Sequence, residues 1–184
     1  FTDADGTTLA THVGEIGAGW FAFGGGAAPE ITGGHLRPVT AAASSHWALN
    51  VAPVADQRVA AVVRRGTSAA SSQNIGPAAR CSSGTNAYWC RFSLGFWQLY
   101  KSVGGSVTQL ASIGDSSSYT SQAGNTRLLE IECIGTTVRM LLDGVELASV
   151  ADADLASGVP GVRSYDALGA GEGEELDQIE YEVL

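Results

Sequence analysis

The chain has 184 residues, of which 45% are hydrophobic and 16% are charged, and its formal net charge is −9 at pH 7. This length fits one domain with a substantial core, and the composition excludes a disordered or collagen-like chain. No apolar run reaches the roughly 20 residues of a membrane helix, and the acidic excess disfavours nucleic acid and anionic membranes as partners.

Short segments rich in Val, Ile, Leu and aromatic residues, each bounded by Gly, Ser, Asn or Asp, predict β-strands along the whole chain. The one candidate helical fragment is ADADLA at 151–156. We therefore expect a single all-β domain that spans residues 1–184. In chain order, the predicted strands are Gly19 to Gly24, His35 to Val39, Trp47 to Val51, Gln57 to Arg65, Gln73 to Cys81, Ala87 to Ser93, Trp97 to Val103, Val107 to Ile113, Arg127 to Ile134, Thr137 to Leu142, Val145 to Val150, Gly161 to Tyr165 and Leu176 to Val183.

Two turns in this series predict hairpins. Gly104 and Gly105 separate WQLYKSV from VTQLASI, and Asp143-Gly144 separates TVRMLL from VELASV. Such residues readily supply the positive φ angles of a two-residue hairpin turn. Residues 73–113 and 127–150 are therefore predicted to form antiparallel meanders. With no crossover helices, two stacked sheets of a β-sandwich or jelly roll would bury the apolar faces best.

Acidic residues concentrate near the end of the chain and on a few turns. Residues 141–184 contain one basic and eleven acidic side chains. Asp3 and Asp5 in DADG, and Asp152 and Asp154 in DADLASG, place on turns the hard oxygen ligands that calcium prefers. Calcium is therefore the cofactor that the sequence indicates. No EF-hand loop is complete, and solvated turns with no cofactor are the favoured interpretation.

The chain contains three cysteines, so at least one thiol is unpaired within the chain. Cys81 and Cys90 flank the loop SSGTNAYW, across which a hairpin would bring them near each other. If the loop centres on Gly84 and Thr85, Cys81 faces about residue 88, so a disulfide would be diagonal and strained. The sequence leaves open both a disulfide between Cys81 and Cys90 and three small buried thiols.

Three longer segments carry a resemblance to a known fold: FTDADGTTLATHVGEIGAGW, NAYWCRFSLGFWQLYKSVGGSVTQLASI and LLEIECIGTTVRMLLDGVELASVADADLASGVPGV. Together they resemble the concanavalin A-like (laminin-G-like) jelly-roll domains of bacteriophage virion proteins and bacterial surface proteins. The resemblance implies a sandwich of two curved antiparallel sheets in a protein of a virion or a cell surface. Domains of this type include sugar binders, adhesion modules, glycosidases and virion decorations, so the fold alone does not select a function.

Glu175, Asp177 and Glu180 reproduce the E-x-D-x-x-E spacing with which β-sandwich glycosidases place nucleophile, helper and acid. A regular strand would send Glu175 and Glu180 to opposite faces, so catalysis requires a bulge. The simpler interpretation is a half-buried closing strand whose inward side chains are Ile179, Tyr181 and Val183. We therefore predict that the chain is not an enzyme.

Aromatic side chains are the candidates for ligand binding, because sugar rings stack on exposed Trp and Tyr rings. Most aromatic residues inside the predicted strands are expected in the core. Tyr119 and Tyr165 lie near loops and are the better surface candidates, and Trp47 is the third candidate. We predict a non-enzymatic attachment or display module that binds a glycan or another virion or surface protein. The alternatives are a glycosidase and a carbohydrate-binding module of a larger secreted protein, and the oligomeric state is left open.

Overall fold

The computed structural model describes residues 1–12, 19–38, 43–66, 74–82, 85–117, 119, 122–166 and 173–184. Within these ranges the chain forms 14 β-strands and no α-helix, so no helix here is long and apolar enough to cross a membrane. The predicted helical fragment at 151–156 is wrong, because residue 151 ends a strand and the following residues form an irregular segment.

The strands form two seven-stranded antiparallel sheets. Sheet 1 contains, in spatial order, β1 (Trp20–Gly24), β4 (Ala43–Leu49), β13 (Val159–Asp166), β6 (Asn74–Ser82), β7 (Asn86–Ser93), β8 (Phe96–Val103) and β9 (Ser106–Gly114). Sheet 2 contains β12 (Val145–Ala151), β11 (Thr137–Leu142), β10 (Thr126–Ile134), β5 (Gln57–Arg64), β14 (Glu175–Val183), β3 (His35–Arg37) and β2 (Glu30–Thr32). The arrangement confirms the predicted all-β sandwich.

The predicted strands and meanders correspond closely to the observed ones. Each of the thirteen predicted segments overlaps an observed strand, and β6 to β9 and β10 to β12 pair in sequence order as meanders. The predicted ends at Val39 and Gln73 lie outside the described residues. The strand that the sequence did not reveal is β2, whose three residues include a single large apolar side chain, Ile31.

Two-residue turns connect five of the hairpins, and in four of them both central residues have positive φ angles. Gly104 and Gly105 have φ angles of 57° and 88°, and Asp143 and Gly144 have φ angles of 51° and 78°, so both predicted turns are confirmed. Positive φ at both central residues matches the right-handed twist of the flanking strands. The turn between β7 and β8 belongs to the same class, although its first central residue is Leu94, with a φ of 52°.

The hydrophobic core lies between the inner faces of the two sheets. On β7, Tyr88, Cys90 and Phe92 point into it, as alternation along a strand requires. Trp47 and Tyr119 also belong to this core, with 7% and 0% of their surface exposed. Both were expected to be candidates for ligand binding at the surface. That expectation is wrong for them, because their large rings fill the space between the sheets.

The three cysteine thiols are buried and unbonded, so the candidate disulfide between Cys81 and Cys90 is wrong. The register of β6 and β7 pairs Ala79 with Tyr88 and Ser82 with Asn86, which leaves Cys90 several residues along the ladder from Cys81. The two side chains also point to opposite faces of sheet 1. Cys90 packs in the main core, whereas Cys81 packs in a smaller outer cluster.

Candidate functional site

A groove of about 260 Å³ lies on the outer face of sheet 1. The register of β4, β13, β6, β7 and β8 aligns Ala48, Gly161, Ala78, Trp89 and Tyr100 in one row across this face. Small residues on three neighbouring strands therefore lie beside two large rings, and Ala48 and Ala78 are buried with Trp89 in the outer apolar cluster. The groove is lined by Ser44, Trp89, Arg91, Tyr100, Val107, Arg163 and Tyr165.

A pair of stacked aromatic rings forms one part of the groove. Trp89 and Tyr100 are directly opposite each other on β7 and β8, and their ring centroids lie 5.4 Å apart with an interplanar angle of 9°. Cross-strand aromatic pairs of this kind stabilise a sheet. His46 packs edge-on against Trp89 at 6.0 Å. The rings are therefore fixed in position by their neighbours.

Two arginine side chains cover these rings. The guanidinium carbon of Arg163 lies 4.2 Å from the ring centroid of Trp89, and that of Arg91 lies 4.7 Å from the ring centroid of Tyr100. Each contact is a cation–π interaction, which both stabilises the arginine and fixes its plane. The arginines and their neighbours therefore cover most of this aromatic surface: Trp89 is 2% exposed and Tyr100 is partly exposed.

Neutral hydrogen-bond acceptors orient Arg163. Its Nε donates to Nε2 of His46 at 2.7 Å, and its Nη2 donates to Oγ of Ser44 at 2.8 Å. Because Nε2 of His46 accepts, the imidazole is neutral and carries its proton on Nδ1. Burial and the charge of Arg163 lower the pKa of His46 from 6.5 to about 4. His46 therefore remains an acceptor at neutral and mildly acidic pH.

Arg91 is held by a similar set of neutral groups. Its Nε donates to Gln98 at 3.0 Å, its Nη1 to Oδ1 of Asn74 at 3.2 Å and its Nη2 to the Tyr100 hydroxyl at 3.1 Å. Burial and the charge of Arg91 lower the pKa of Arg163 to about 10, so the two guanidinium groups repel each other within the groove. Both remain charged at neutral pH.

Of the seven residues that line the groove, one is a sequence-predicted site residue and six are not. Tyr165 lines it, as its position near a loop had indicated. Trp89, Tyr100, Arg91 and Arg163 were missed, because aromatic residues inside strands were expected in the core. The usable signal was the alternation on β7. Since Tyr88, Cys90 and Phe92 face inward, the intervening residues must face outward.

The four aspartates proposed as metal ligands are engaged by protein groups instead. Oδ2 of Asp3 lies 2.6 Å from Nδ1 of His12, and Oδ1 of Asp5 accepts a hydrogen bond from a backbone N–H at 2.8 Å. The ammonium group of Lys101 lies 2.5 Å from Asp152 and 2.6 Å from Asp154. Among the described residues, no three His, Cys, Asp or Glu side chains come together as a metal site.

The acids of the E-x-D-x-x-E segment lie on β14, which contains a bulge at Asp177. The register places Glu175 opposite Arg64 and Glu180 opposite Ala60 on β5, four residues apart, so both glutamates share the outer face of sheet 2. The bulge that catalysis would require is therefore present. The inward side chains of β14 are Leu176, Ile179 and Tyr181, while Val183, also predicted to be buried, is 54% exposed at the strand end.

Each of these three acids has a protein partner. Glu175 is buried and forms an ion pair with Arg37 at 2.8 Å. Burial raises the pKa of Glu175, and the Arg37 guanidinium opposes that rise. Oδ1 of Asp177 lies 2.5 Å from Nδ1 of His35, and the exposed Glu180 accepts a hydrogen bond from Gln178. The three carboxylates therefore form part of the polar network on this face.

Comparisons with known proteins establish the fold. No family model and no curated protein matches the sequence. The chain superposes on the carbohydrate-binding module CBM66 from Bacillus subtilis with a TM-score of 0.69 and 13% identity, over 89% of this chain and 94% of that one. It superposes on the Ca2+/Man3GlcNAc-bound VIP36 exoplasmic/lumenal domain with a TM-score of 0.64 and 10% identity, over 91% of this chain and 85% of that one.

A third similar structure is a protein of unknown function with a galectin-like fold from Bacillus subtilis. Its TM-score is 0.61 at 14% identity, over 98% of this chain and 97% of that chain. At such low identities, the similarities show the fold alone. The chain has a concanavalin A-like jelly-roll β-sandwich fold, as the resemblance between sequence segments implied.

Proposed function

We propose that the chain is a non-catalytic carbohydrate-binding module that holds its ligand in the groove on the outer face of sheet 1. The observation that carries this proposal is a groove of about 260 Å³ in which the partly exposed rings of Tyr100 and Tyr165 lie beside two guanidinium groups. Aromatic faces contact the C–H surface of a sugar ring, and guanidinium N–H groups donate hydrogen bonds to its oxygens.

The fold comparisons support the same proposal. One similar structure is a carbohydrate-binding module, and another contains bound Man3GlcNAc. We infer that the module acts in attachment at an extracellular surface, with a glycan as its partner. Display on a phage particle stays a prediction from the sequence resemblance.

The non-catalytic part of the proposal rests on Glu175 and Glu180. A retaining glycosidase uses two carboxyl groups about 5 to 5.5 Å apart, one ionised as the nucleophile and one protonated as the acid. Here Glu175 is ion-paired with Arg37 and buried, while Glu180 is exposed and bonded to Gln178. These environments suit structural ion pairing better than attack on a substrate.

A glycan array tests the groove directly. Tyr165 lines the groove and is partly exposed, so Tyr165→Ala removes contact surface without opening the core. Loss of one aromatic contact should weaken binding about 3- to 10-fold. The matched control is Phe96→Ala on β8. Phe96 is 45% exposed on the same outer face, about 13 Å along the strand from Tyr100, and should leave affinity unchanged.

Equal losses in the two variants, or no binding to any glycan, would contradict the proposal. The catalytic alternative is tested by incubation with a β-glucan. We expect no hydrolysis by the wild-type chain. Hydrolysis that disappears in Glu175→Gln would show that the acids on β14 are catalytic and that the non-catalytic assignment is wrong.

A further inference from the structure

The strands of the two sheets differ sharply in their acidic residues. The strands of sheet 1 contain one acid, Asp166 at the end of β13, whose side chain lies outside the described part. The strands of sheet 2 contain eight: Glu30, Glu130, Glu132, Glu146, Glu175, Asp177, Glu180 and Glu182. Although the chain carries a net charge of −9, that negative charge is concentrated away from the strands that form the groove.

Neither arginine of the groove forms an ion pair with a described carboxylate, although the charge of Arg91 acts to lower the pKa of Glu174. Seven of the ten basic side chains form ion pairs with described carboxylates: Arg37, Arg58, Arg65, Arg80, Lys101, Arg127 and Arg139. Arg64 contacts His35 instead. Among the residues that the structure describes, Arg91 and Arg163 contact neutral groups and aromatic rings alone.

The strand between these arginines carries no side chain at their level. On β6, Gly76 pairs with Arg163 of β13, and a Cβ placed on Gly76 would lie 3.4 Å from the Cα of Arg91 on β7. Two strand spacings therefore separate the backbones of Arg163 and Arg91, which is about 10 Å. Two like charges in one partly buried groove repel each other, and an anion between them would offset that cost.

Arg163 also keeps donor capacity for a ligand. Its Nε and Nη2 bond to His46 and Ser44, but Nη1 has no hydrogen-bond acceptor among the described residues. A guanidinium group matches the planar oxygen pair of a carboxylate, and it also binds sulfate oxygens strongly. Both cations are fixed in place before any ligand binds, because each stacks on an aromatic ring.

We propose that the groove selects glycans that carry an anionic group, a sugar carboxylate or sulfate, which binds between Arg91 and Arg163 while the sugar ring contacts the partly exposed Tyr100 and Tyr165. This inference rests on the proposed carbohydrate-binding function and specifies its ligand class. It also accounts for the neutral partners of the two arginines, since a carboxylate of the protein in that place would compete with the ligand.

Isothermal titration with three matched probes tests the inference: oligogalacturonate, the neutral galactose oligomer obtained by reducing its carboxyl groups, and a sulfated galactose oligomer. We expect binding of at least one anionic oligomer, about tenfold or more tighter than that of the neutral oligomer, because charge-assisted hydrogen bonds exceed neutral ones. The preference should shrink between 0.05 and 0.5 M NaCl, as screening predicts, to about a few-fold. Comparison of the oligogalacturonate with the sulfated oligomer shows whether the groove prefers a carboxylate or a sulfate.

Variants identify the residues responsible. Arg163→Gln should weaken binding of the anionic oligomer about tenfold or more, and should weaken binding of the neutral oligomer by a smaller factor of about threefold, because the neutral sugar loses a hydrogen bond but no charge-assisted one. Arg163→Lys keeps the positive charge but lacks the planar set of N–H donors of a guanidinium group. We expect its affinity for the anionic oligomer to lie between those of wild type and Arg163→Gln. The matched control is Arg139→Gln on sheet 2, which removes the same charge away from the groove. If Arg163→Gln does not fold, Arg91→Gln provides the same test from the neighbouring strand.

Three results would overturn the inference. Equal binding of the neutral and anionic oligomers would reject anion selection while leaving the carbohydrate-binding function intact. Equal losses in Arg163→Gln and Arg139→Gln would show that net charge, and not the groove, controls affinity. Failure to bind any of the probes, together with an empty neutral glycan array, would reject both proposals.

Discussion

At the residue scale, the geometry of the groove depends on a histidine that stays neutral. Nε2 of His46 accepts the hydrogen bond from Nε of Arg163, and a proton on that nitrogen would break the bond and add a repulsive charge. Burial and Arg163 therefore lower the pKa of His46 to about 4, well below the 6.5 of an unfolded chain. Protonation of His46 is consequently coupled to unfolding.

This coupling predicts the direction of a pH effect. Between pH 6.5 and about 4 the unfolded chain binds a proton at His46 that the folded chain does not, so stability falls as pH falls. The difference between 6.5 and about 4 corresponds to about 3 kcal/mol. His46→Gln keeps a hydrogen-bond acceptor but does not titrate. We expect its free energy of unfolding to fall by about 3 kcal/mol less than that of wild type over this pH range.

The measurement is urea unfolding of both proteins at pH 7 and pH 4. A comparison with wild type is needed because another group acts in the opposite direction. Burial raises the pKa of Glu174 to about 7 against the opposing charge of Arg65, so its contribution to stability is lost as pH rises through 7. Glu174 is present in both proteins and cancels in the difference. Identical pH dependence in the two would show that the coupling through His46 is absent.

Individual site residues were harder to predict than strands. The sequence identifies Trp89 as a large ring inside a strand, and most such rings fill the core. The alternation on β7 shows that Trp89 and Tyr88 lie on opposite faces, but which face is outward is fixed by the pairing of β7 with its neighbours, which is a long-range property. Tyr119 shows the reverse error, because this residue was expected at the surface for its position near a loop and is fully buried among core rings.

At the scale of elements, tight turns fix the register of the hairpins. Asp143 and Gly144 both have positive φ angles, and Asp143 also accepts a hydrogen bond from the backbone N–H of Leu128 at 3.0 Å. These turns were predictable because the residues that tolerate positive φ are few. The bulge on β14 was not predicted, although Leu176 and Ile179 both face inward three residues apart, a spacing that breaks the two-residue period.

Replacement of Gly144 tests how much the turn contributes. An L-residue at a φ of 78° is strained, so we expect Gly144→Ala to destabilise the domain by about 1 kcal/mol. The control is Gly114→Ala at the end of β9, where φ is not positive and a Cβ would contact nothing within 4 Å. That substitution should change the free energy of unfolding by less than about 0.5 kcal/mol. Chemical denaturation measures both, and equal effects would contradict the assigned role of the turn.

At the scale of the whole molecule, the acidic end of the chain is joined to the rest by ion pairs. Glu174 bonds to Arg65 at 2.5 Å, Glu175 to Arg37 at 2.8 Å and Asp152 to Lys101 at 2.5 Å. The sequence reveals the uneven distribution of charge, but not this pairing, because the partners lie 51 to 138 residues apart, as their numbers show. These long-range ion pairs offset the repulsion among the acids and connect the end of the chain to distant strands.

The pairing at Lys101 also determines how the molecule should respond to calcium. Its ammonium group lies between Asp152 and Asp154, at 2.5 and 2.6 Å, where a bound cation would otherwise lie. Although burial acts to raise it, hydrogen bonds from Lys101 and Tyr88 hold the pKa of Asp152 below its usual value. We therefore expect 5 mM calcium and sodium chloride at matched ionic strength to give the same melting temperature for the wild-type chain.

Removal of that ammonium group should make the melting temperature depend on calcium. Lys101→Gln leaves two carboxylates without a cation, so the variant should be less stable by about 1 kcal/mol in sodium chloride, because an ion pair and its hydrogen bonds are lost. A calcium ion bound with a dissociation constant of about 1 mM would restore about 1 kcal/mol at 5 mM, since only the folded chain brings the two acids together. The double variant Lys101→Gln, Asp152→Asn should show no such recovery. A calcium-specific rise in the wild-type melting temperature that a chelator reverses would instead place a calcium site elsewhere in the chain, and would show that Lys101 is not what determines the calcium response.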